Sequence, residues 1–136
     1  MHRQRTQMRR QLPLAAEAAF DLVLEIERYP EFVPGYMKAE VLERQPNRLI
    51  VGQEIGLGGA RFSFRSQADF ERPAWIRIHT QEAPFRQLDI NWRFTVGGGA
   101  SCVAEFAMTH ALRHGLSLPG VGWLFKQMDK NTLEAF

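Results

Sequence analysis

From Arg61 onward, polar and apolar residues alternate with a period of two. Phe62, Phe64, Ser66, Ala68 and Phe70 fall on one side of the run Arg61 to Glu71, and Arg61, Ser63, Arg65, Gln67 and Asp69 on the other. Trp75 to Gln81 sets Ile76, Ile78 and Thr80 against Arg77, His79 and Gln81. Leu88 to Val96 sets Leu88, Ile90, Trp92, Phe94 and Val96 against Asp89, Asn91, Arg93 and Thr95. Ser101 to Leu112 carries Ala104, Phe106, Met108 and Leu112 on one face. Such runs predict strands with one face buried and the other in water. Residues 3 to 12, Lys38 to Arg44 and Arg48 to Leu57 read as three more strands. Pro46-Asn47, Gly58-Gly59 and Gly97-Gly98-Gly99 supply tight turns, so successive strands pair antiparallel.

Helical spacing occurs in two places. Ala15, Ala19, Leu22, Val23 and Ile26 predict an amphipathic helix from Ala15 to Glu27. Pro30 and Pro34 confine the next segment to one short helical turn. After Pro119, the residues Val121, Leu124, Phe125, Met128, Thr132 and Phe136 form the apolar face of a closing helix. The fold class expected is α+β: a curved antiparallel seven-stranded sheet wrapped around a long C-terminal helix, with two short helices after strand 1. One domain, 1–136, accounts for the whole chain.

A sheet of seven strands presents a concave face wider than one helix of about 17 residues, or ~25 Å, can cover. The inward rows also mix large side chains with small ones: Val51, Ser66, Ala68 and Ala104. Both observations point to space for a ligand between sheet and helix, against the ordinary reading of such rows as packed core.

Composition narrows the partners. A lone cysteine, Cys102, excludes an intramolecular disulfide and suits a reducing compartment. No apolar run reaches the ~20 residues of a membrane-spanning helix. Met1 to Arg10 is arginine-rich and acid-poor like a transit peptide, but it runs into a strand pattern, and the strand reading is preferred. Net charge is only +2, yet the cations are fourteen Arg against three Lys. Arg3, Arg5, Arg9, Arg61, Arg65, Arg77 and Arg93 share the outward face, partly offset by Asp69, Asp89 and Glu105. That face could meet RNA or anionic lipid. Its ordinary reading is a solvated surface with cross-strand pairs.

The motifs come in a recognisable order. Phe20-Asp21-Leu22-Val23 runs into Ile26-Glu27-Arg28-Tyr29-Pro30-Glu31-Phe32-Val33-Pro34. Val41-Leu42-Glu43-Arg44, Ile55-Gly56-Leu57-Gly58 and Phe62-Ser63-Phe64-Arg65-Ser66 come next. Pro84-Phe85-Arg86-Gln87-Leu88 and Trp92-Arg93-Phe94 complete the set. From Leu12 to Leu112 the chain resembles the coenzyme Q-binding START-like family, within the helix-grip superfamily of lipid-transfer domains and polyketide cyclases. The resemblance implies a β-α-α-β6-α fold, an apolar tunnel between sheet and last helix, and isoprenoid-quinone binding in support of respiration. Bacterial members are labelled ribosome-association toxins that act on the large ribosomal subunit. The chain stops at Phe136, where family members usually continue the last helix.

The expected function is therefore non-enzymatic binding of a hydrophobic ligand, ubiquinone or a related isoprenoid quinone, by a carrier or chaperone. The alternatives are a ribosome-association module that uses the basic face and a small cyclase-like enzyme. Phe32, Val33 and Tyr36 are expected at the tunnel mouth. Val51, Gln53, Ile55, Phe64, Ser66 and Ile78 are expected along one side of the tunnel. Phe85, Leu88, Ile90, Trp92, Phe106 and Met108 are expected along the other, and Leu124, Phe125 and Met128 on the covering helix. Gln53, Ser66, Thr80 and His110 are polar residues on inward rows, and each could bond a quinone carbonyl or an internal partner. Glu82, near the Pro84 turn, could act as a base at the mouth of a cyclase-like cavity, but no partner for it is visible. The four His show no metal-ligand spacing, and Gly56-Leu57-Gly58-Gly59 precedes no helix, so no cofactor, metal or DNA partner is expected. The expected location is cytoplasmic, with a peripheral position at the inner membrane left open.

Overall fold

The computed structural model describes residues 3–31, 35–57 and 59–113. The closing helix expected from Gly120, with Trp123, lies outside the described residues, as do Phe32, Val33 and Pro34.

Seven strands form one antiparallel sheet: β1 (Gln4–Leu12), β2 (Tyr36–Gln45), β3 (Arg48–Leu57), β4 (Ala60–Glu71), β5 (Trp75–Thr80), β6 (Phe85–Val96) and β7 (Cys102–Leu112). Strands β2 to β7 run as a meander, and β1 returns to pair with β7, giving the order β1-β7-β6-β5-β4-β3-β2. The inward parity read from the sequence becomes the buried face. Phe64, Ser66 and Ala68 of β4, Ile76 and Ile78 of β5, Trp92 and Phe94 of β6, and Ala104, Phe106 and Met108 of β7 are all buried. Strand β6 begins at Phe85, three residues before the alternation that marks it in the sequence, just after the cis peptide bond Ala83–Pro84.

Between β1 and β2 lie a helix, α1 (Ala16–Leu24), and a 3-10 helix, α2 (Ile26–Glu31). The expected helix to Glu27 is corrected here: α1 ends at Leu24, and Glu25 leaves helical geometry with ψ 63°. The tighter α2 has three residues per turn, so Ile26 and Tyr29 fall on one face, and both are buried. Pro30 lies inside this turn and has no N–H to donate to the Ile26 carbonyl, so an α-helical bond is missing there. Helix α1 buries Ala16, Ala19, Phe20 and Val23. Phe20 meets Phe70 and Phe94 edge-on, with ring centroids 6.0 and 6.1 Å away. This contact closes one end of the concave face.

Helix α2 packs along β2, the outer strand. Glu27 accepts the backbone N–H of Val41 at 3.1 Å and the Arg44 guanidinium at 3.4 Å. The register of β2 on β3 slips between Val41 and Glu43. Glu27 thus satisfies an edge-strand donor at that irregularity, which shields the free edge from pairing with another chain.

Candidate functional site: the concave face near strand β2

Tyr36, Gln53 and Ser66 stand on three adjacent strands, and the pairing brings them together. Tyr36 is opposite Ile55 and Val51 is opposite Ser66. Gln53 Nε2 donates to the Tyr36 hydroxyl at 3.0 Å, and Ser66 Oγ donates to Gln53 Oε1 at 2.6 Å. Gln53 and Ser66 are buried, and Tyr36 is half-buried at the sheet's edge. The Tyr29 ring stands edge-on to Tyr36 at 5.5 Å, and the Tyr29 hydroxyl donates to the Val23 carbonyl at the end of α1. Burial pushes the Tyr36 hydroxyl up to about 12, against a smaller opposite pull from Gln53. Burial likewise raises Tyr29 well above the usual phenol range. Both remain protonated near neutral pH; Tyr29 donates to Val23, and Tyr36 accepts from Gln53.

The other inward polar residues have different surroundings. Thr80 donates to the Arg65 carbonyl at 2.6 Å and accepts the Glu82 N–H at 3.1 Å, so its hydroxyl closes the end of β5. His110 is opposite Leu88, and burial lowers its pKa to about 4, which keeps the ring neutral.

Of the residues expected to line a tunnel, Val51, Ile55, Phe64, Ile78, Phe85, Leu88, Trp92, Phe106 and Met108 are buried on the concave side. Ile90 is half-buried there. Phe32, Val33, Leu124, Phe125 and Met128 lie outside the described residues. Of the small inward side chains, Val51, Ala68 and Ala104 are 0% exposed and Ser66 is 3%. Phe64 packs edge-on against Phe85 at 5.2 Å, and Trp92 against Phe106 at 4.9 Å. The inward residues that keep partial exposure near the polar chain are Tyr36, Ala39, Val41 and Phe62. Ala39, which faces Gln53 across the ladder, was missed in the sequence because the strand pattern there is broken by the bulge.

Glu82 is corrected too. Its carboxylate accepts the Arg65 backbone N–H at 2.8 Å and the Arg65 guanidinium at 2.9 and 3.1 Å. The backbone bond first, then the guanidinium, holds it below the usual carboxylate range. A partnered, half-exposed carboxylate of lowered pKa is a weak general base.

The convex face is a lattice of charge pairs. Arg77 grips Asp89 at 2.8 and 3.1 Å. Arg48 and His79 both reach Asp69, at 2.8 and 3.0 Å. Arg61 meets Glu54 at 3.3 Å and Arg9 meets Glu105 at 3.7 Å. A groove of 520 Å³ between Arg65, Gln67, Arg77, His79, Glu82 and Asp89 is lined by these pairs. Among the described residues, Arg3, Arg5 and Arg93 form no ion pair, no group of three or more His, Cys, Asp or Glu could hold a metal ion, and no helix is long and apolar enough to cross a membrane.

A curved seven-stranded antiparallel sheet with short helices between its first two strands is the frame of the START-like helix-grip fold. The chain belongs to the polyketide cyclase/dehydrase and lipid transport family, whose sequence model matches residues 12–136. Among curated relatives, the ribosome association toxin RatA of Escherichia coli K12 is 26% identical over 125 residues, spanning 92% of this chain and 79% of its own length. Among solved structures, a START superfamily protein from Mycobacterium smegmatis superimposes with a TM-score of 0.79 at 15% identity, covering 96% of this chain and 92% of its own. The Zhui aromatase/cyclase from Streptomyces sp. R1128 also gives 0.79, at 16% identity, covering 97% and 88%. These two structures bear on the fold alone.

Proposed function

We propose that this protein binds an apolar small molecule on its concave face, specifically an isoprenoid quinone of the ubiquinone type, and carries it without chemical change. The observation that carries the reading is the chain Ser66–Gln53–Tyr36. It is polar, sits in apolar surroundings, and ends on the phenol of half-buried Tyr36 on the sheet's edge strand. A ligand with one oxygen-bearing head and a hydrocarbon tail matches that arrangement. The lipid-transport part of the family description supports it. A carrier role, as opposed to cyclase chemistry, is supported by the state of the nearest acid–base groups. Tyr36 holds its proton to about 12, and Glu82 is committed to Arg65. Such a carrier would hand quinone to the enzymes of respiration, working from the cytoplasm at the inner membrane surface.

The test is organic extraction of the purified protein followed by mass spectrometry, combined with melting curves in short-tail ubiquinone. Wild type should gain roughly 2.7 kcal/mol when free ligand is a hundredfold above Kd. Ala39→Trp places an indole over Gln53 at the half-buried edge, and it should fold but gain nothing. No co-extracted isoprenoid, together with no quinone-dependent shift in wild type, would sink the reading.

A second reading, contact with the large ribosomal subunit, is supported by the name of the Escherichia coli relative. It would use the convex face, where Arg3, Arg5 and Arg93 are available for phosphate. Co-sedimentation with large subunits should then fall steeply with salt. It should also fail in the triple Arg-to-Gln variant.

A further inference from the structure

The polar chain on the concave face has a direction, and its two lengths set it. A separation of 2.6 Å between Ser66 and Gln53 suits O–H···O and is too short for N–H···O, whereas 3.0 Å between Gln53 and Tyr36 is an ordinary N–H···O length. The amide is thereby oriented, with Oε1 toward Ser66 and Nε2 toward Tyr36. Ser66 donates to Gln53, Gln53 donates to Tyr36, and the Tyr36 oxygen is the acceptor at the end. The Tyr36 proton is left over. Among the described residues it meets no acceptor. It is not lost to solution near neutrality, because burial holds the hydroxyl at about 12. The Tyr29 ring stands edge-on to the Tyr36 ring, and half-buried Ala39 and Phe62 face Gln53 and Ile55 across the ladder on the same side of the sheet.

Resting on the quinone reading above, we infer that Tyr36 is the specificity-determining contact for the ligand's head group, and that it selects the oxidised quinone over the reduced quinol. A quinone carbonyl offers only lone pairs, and Tyr36 offers only a proton. A quinol hydroxyl is a poorer acceptor and brings its own O–H, which needs an acceptor. The Tyr36 oxygen is already engaged by Gln53 Nε2, and Gln53 Oε1 faces away toward Ser66. Binding the quinol therefore leaves a donor unsatisfied in a low-dielectric site. Gln53 is a positioning residue: it acts through Tyr36 by occupying the oxygen and turning the proton outward.

The experiment measures Kd by quenching of tryptophan fluorescence with a short-tail ubiquinone, oxidised and, under argon, reduced. Diphenylhexatriene, an apolar probe without oxygen, reports the site independently of any head group. Wild type should bind the oxidised form roughly tenfold or more tightly than the reduced, the scale of one unmet buried hydrogen bond. Tyr36→Phe should lose about five- to tenfold in affinity for the oxidised form, bind diphenylhexatriene unchanged, and discriminate the two forms by less than about twofold. Gln53→Met should keep affinity for the oxidised form within about threefold yet lose discrimination, because the freed Tyr36 oxygen can then accept from the quinol. Circular dichroism checks that both variants fold. Equal affinity of wild type for both redox forms, or an unchanged Kd in Tyr36→Phe, overturns the inference and leaves the concave-face reading standing, provided diphenylhexatriene binds. Failure of wild type to bind either quinone or diphenylhexatriene overturns both.

Discussion

The two faces of the sheet come from the same alternating strands, but each handles its polar groups differently. On the concave side, four polar residues, Gln53, Ser66, Thr80 and His110, are buried among aromatic and aliphatic neighbours. They are kept neutral, and the bonds resolved for them run to neutral groups. On the convex side charge is abundant, and it is paired: Arg77 with Asp89, Arg48 with Asp69, Arg65 with Glu82. The lesson concerns where specificity can reside. A low-dielectric face makes each unmet donor expensive, so one phenol can discriminate between ligands. On the solvated face, neighbouring carboxylates and salt blunt each arginine. The basic stripe visible in the sequence is thus largely neutralised in the fold, whereas the concave polar chain ends on a Tyr36 proton that meets no acceptor among the described residues.

The strongest way to break this comparison is to force a charge onto the concave side. His110 titrates near 6.5 when unfolded and at about 4 when folded, because burial disfavours the imidazolium. Between those values the unfolded chain binds a proton that the folded chain refuses. Stability contributed by the neutral ring is therefore complete above about pH 6.5 and is lost as pH falls toward 4. A shift of that size corresponds to roughly 3 kcal/mol. Urea titrations at pH 7 and pH 4 should show that loss in wild type, and His110→Leu should largely abolish it. An equal loss in the variant would mean that His110 is solvated and that the concave face is wetter than its burial indicates.

The matching perturbation on the convex side is removal of an ionised group. Burial pushes the Asp69 carboxyl upward, but hydrogen bonds from Arg48, His79 and Gln67 outweigh it and bring the pKa to about 2. The folded state therefore holds the carboxylate charged where the unfolded chain, near 3.8, takes up a proton. Its contribution is present above about pH 4 and disappears as pH falls through 2. After discounting for partial exposure it amounts to about 2 kcal/mol. Asp69→Asn should flatten the acid limb of the stability curve below pH 4 and leave the His110 limb unchanged. If both limbs change together, the two faces are coupled through the sheet and cannot be treated as independent.

Much of this division was legible in the chain. The parity of Phe62 to Phe70 and of Leu88 to Val96 assigned the faces, because a strand turns alternate side chains to opposite sides. All four buried polar residues were visible as polar letters on inward rows. Their partners were not, because pairing register is a property of the assembled sheet. Thr80 lies 15 residues from the Arg65 carbonyl it bonds, and Glu82 lies 17 from its guanidinium. Nothing in either segment names the other. The end of α1 was misplaced for a local reason. Ile26 fits both a period of 3.6 and a period of three, so its apolar spacing does not mark the change of helix type at Glu25. The small residues Val51, Ala68 and Ala104 are fully buried, and what covers them could not be read from the sequence, since size is visible there but neighbours are not.

The smallest expected effect gives the finest test of the contrast. Arg77 and Asp89 face each other with two parallel contacts, and Asn91 adds a third hydrogen bond to the carboxylate at 3.0 Å. The geometry is good, but the Arg77 side chain is 48% exposed, so water and ions compete with the pair. Arg77→Gln alone should cost no more than about 1 kcal/mol. A double-mutant cycle with Asp89→Asn isolates the pair from the solvation of each partner. The coupling should be about 0.5–1 kcal/mol at low salt and should shrink toward zero in 1 M NaCl, where the Debye length is ~3 Å. Quinone affinity should be the same in all four proteins of the cycle, because the pair sits on the face opposite Tyr36. A coupling above about 2 kcal/mol that resists salt would place this pair in the energetic class of buried charges. The convex face would then be structural framework and not a screened surface, and the contrast with the concave face would lose its basis.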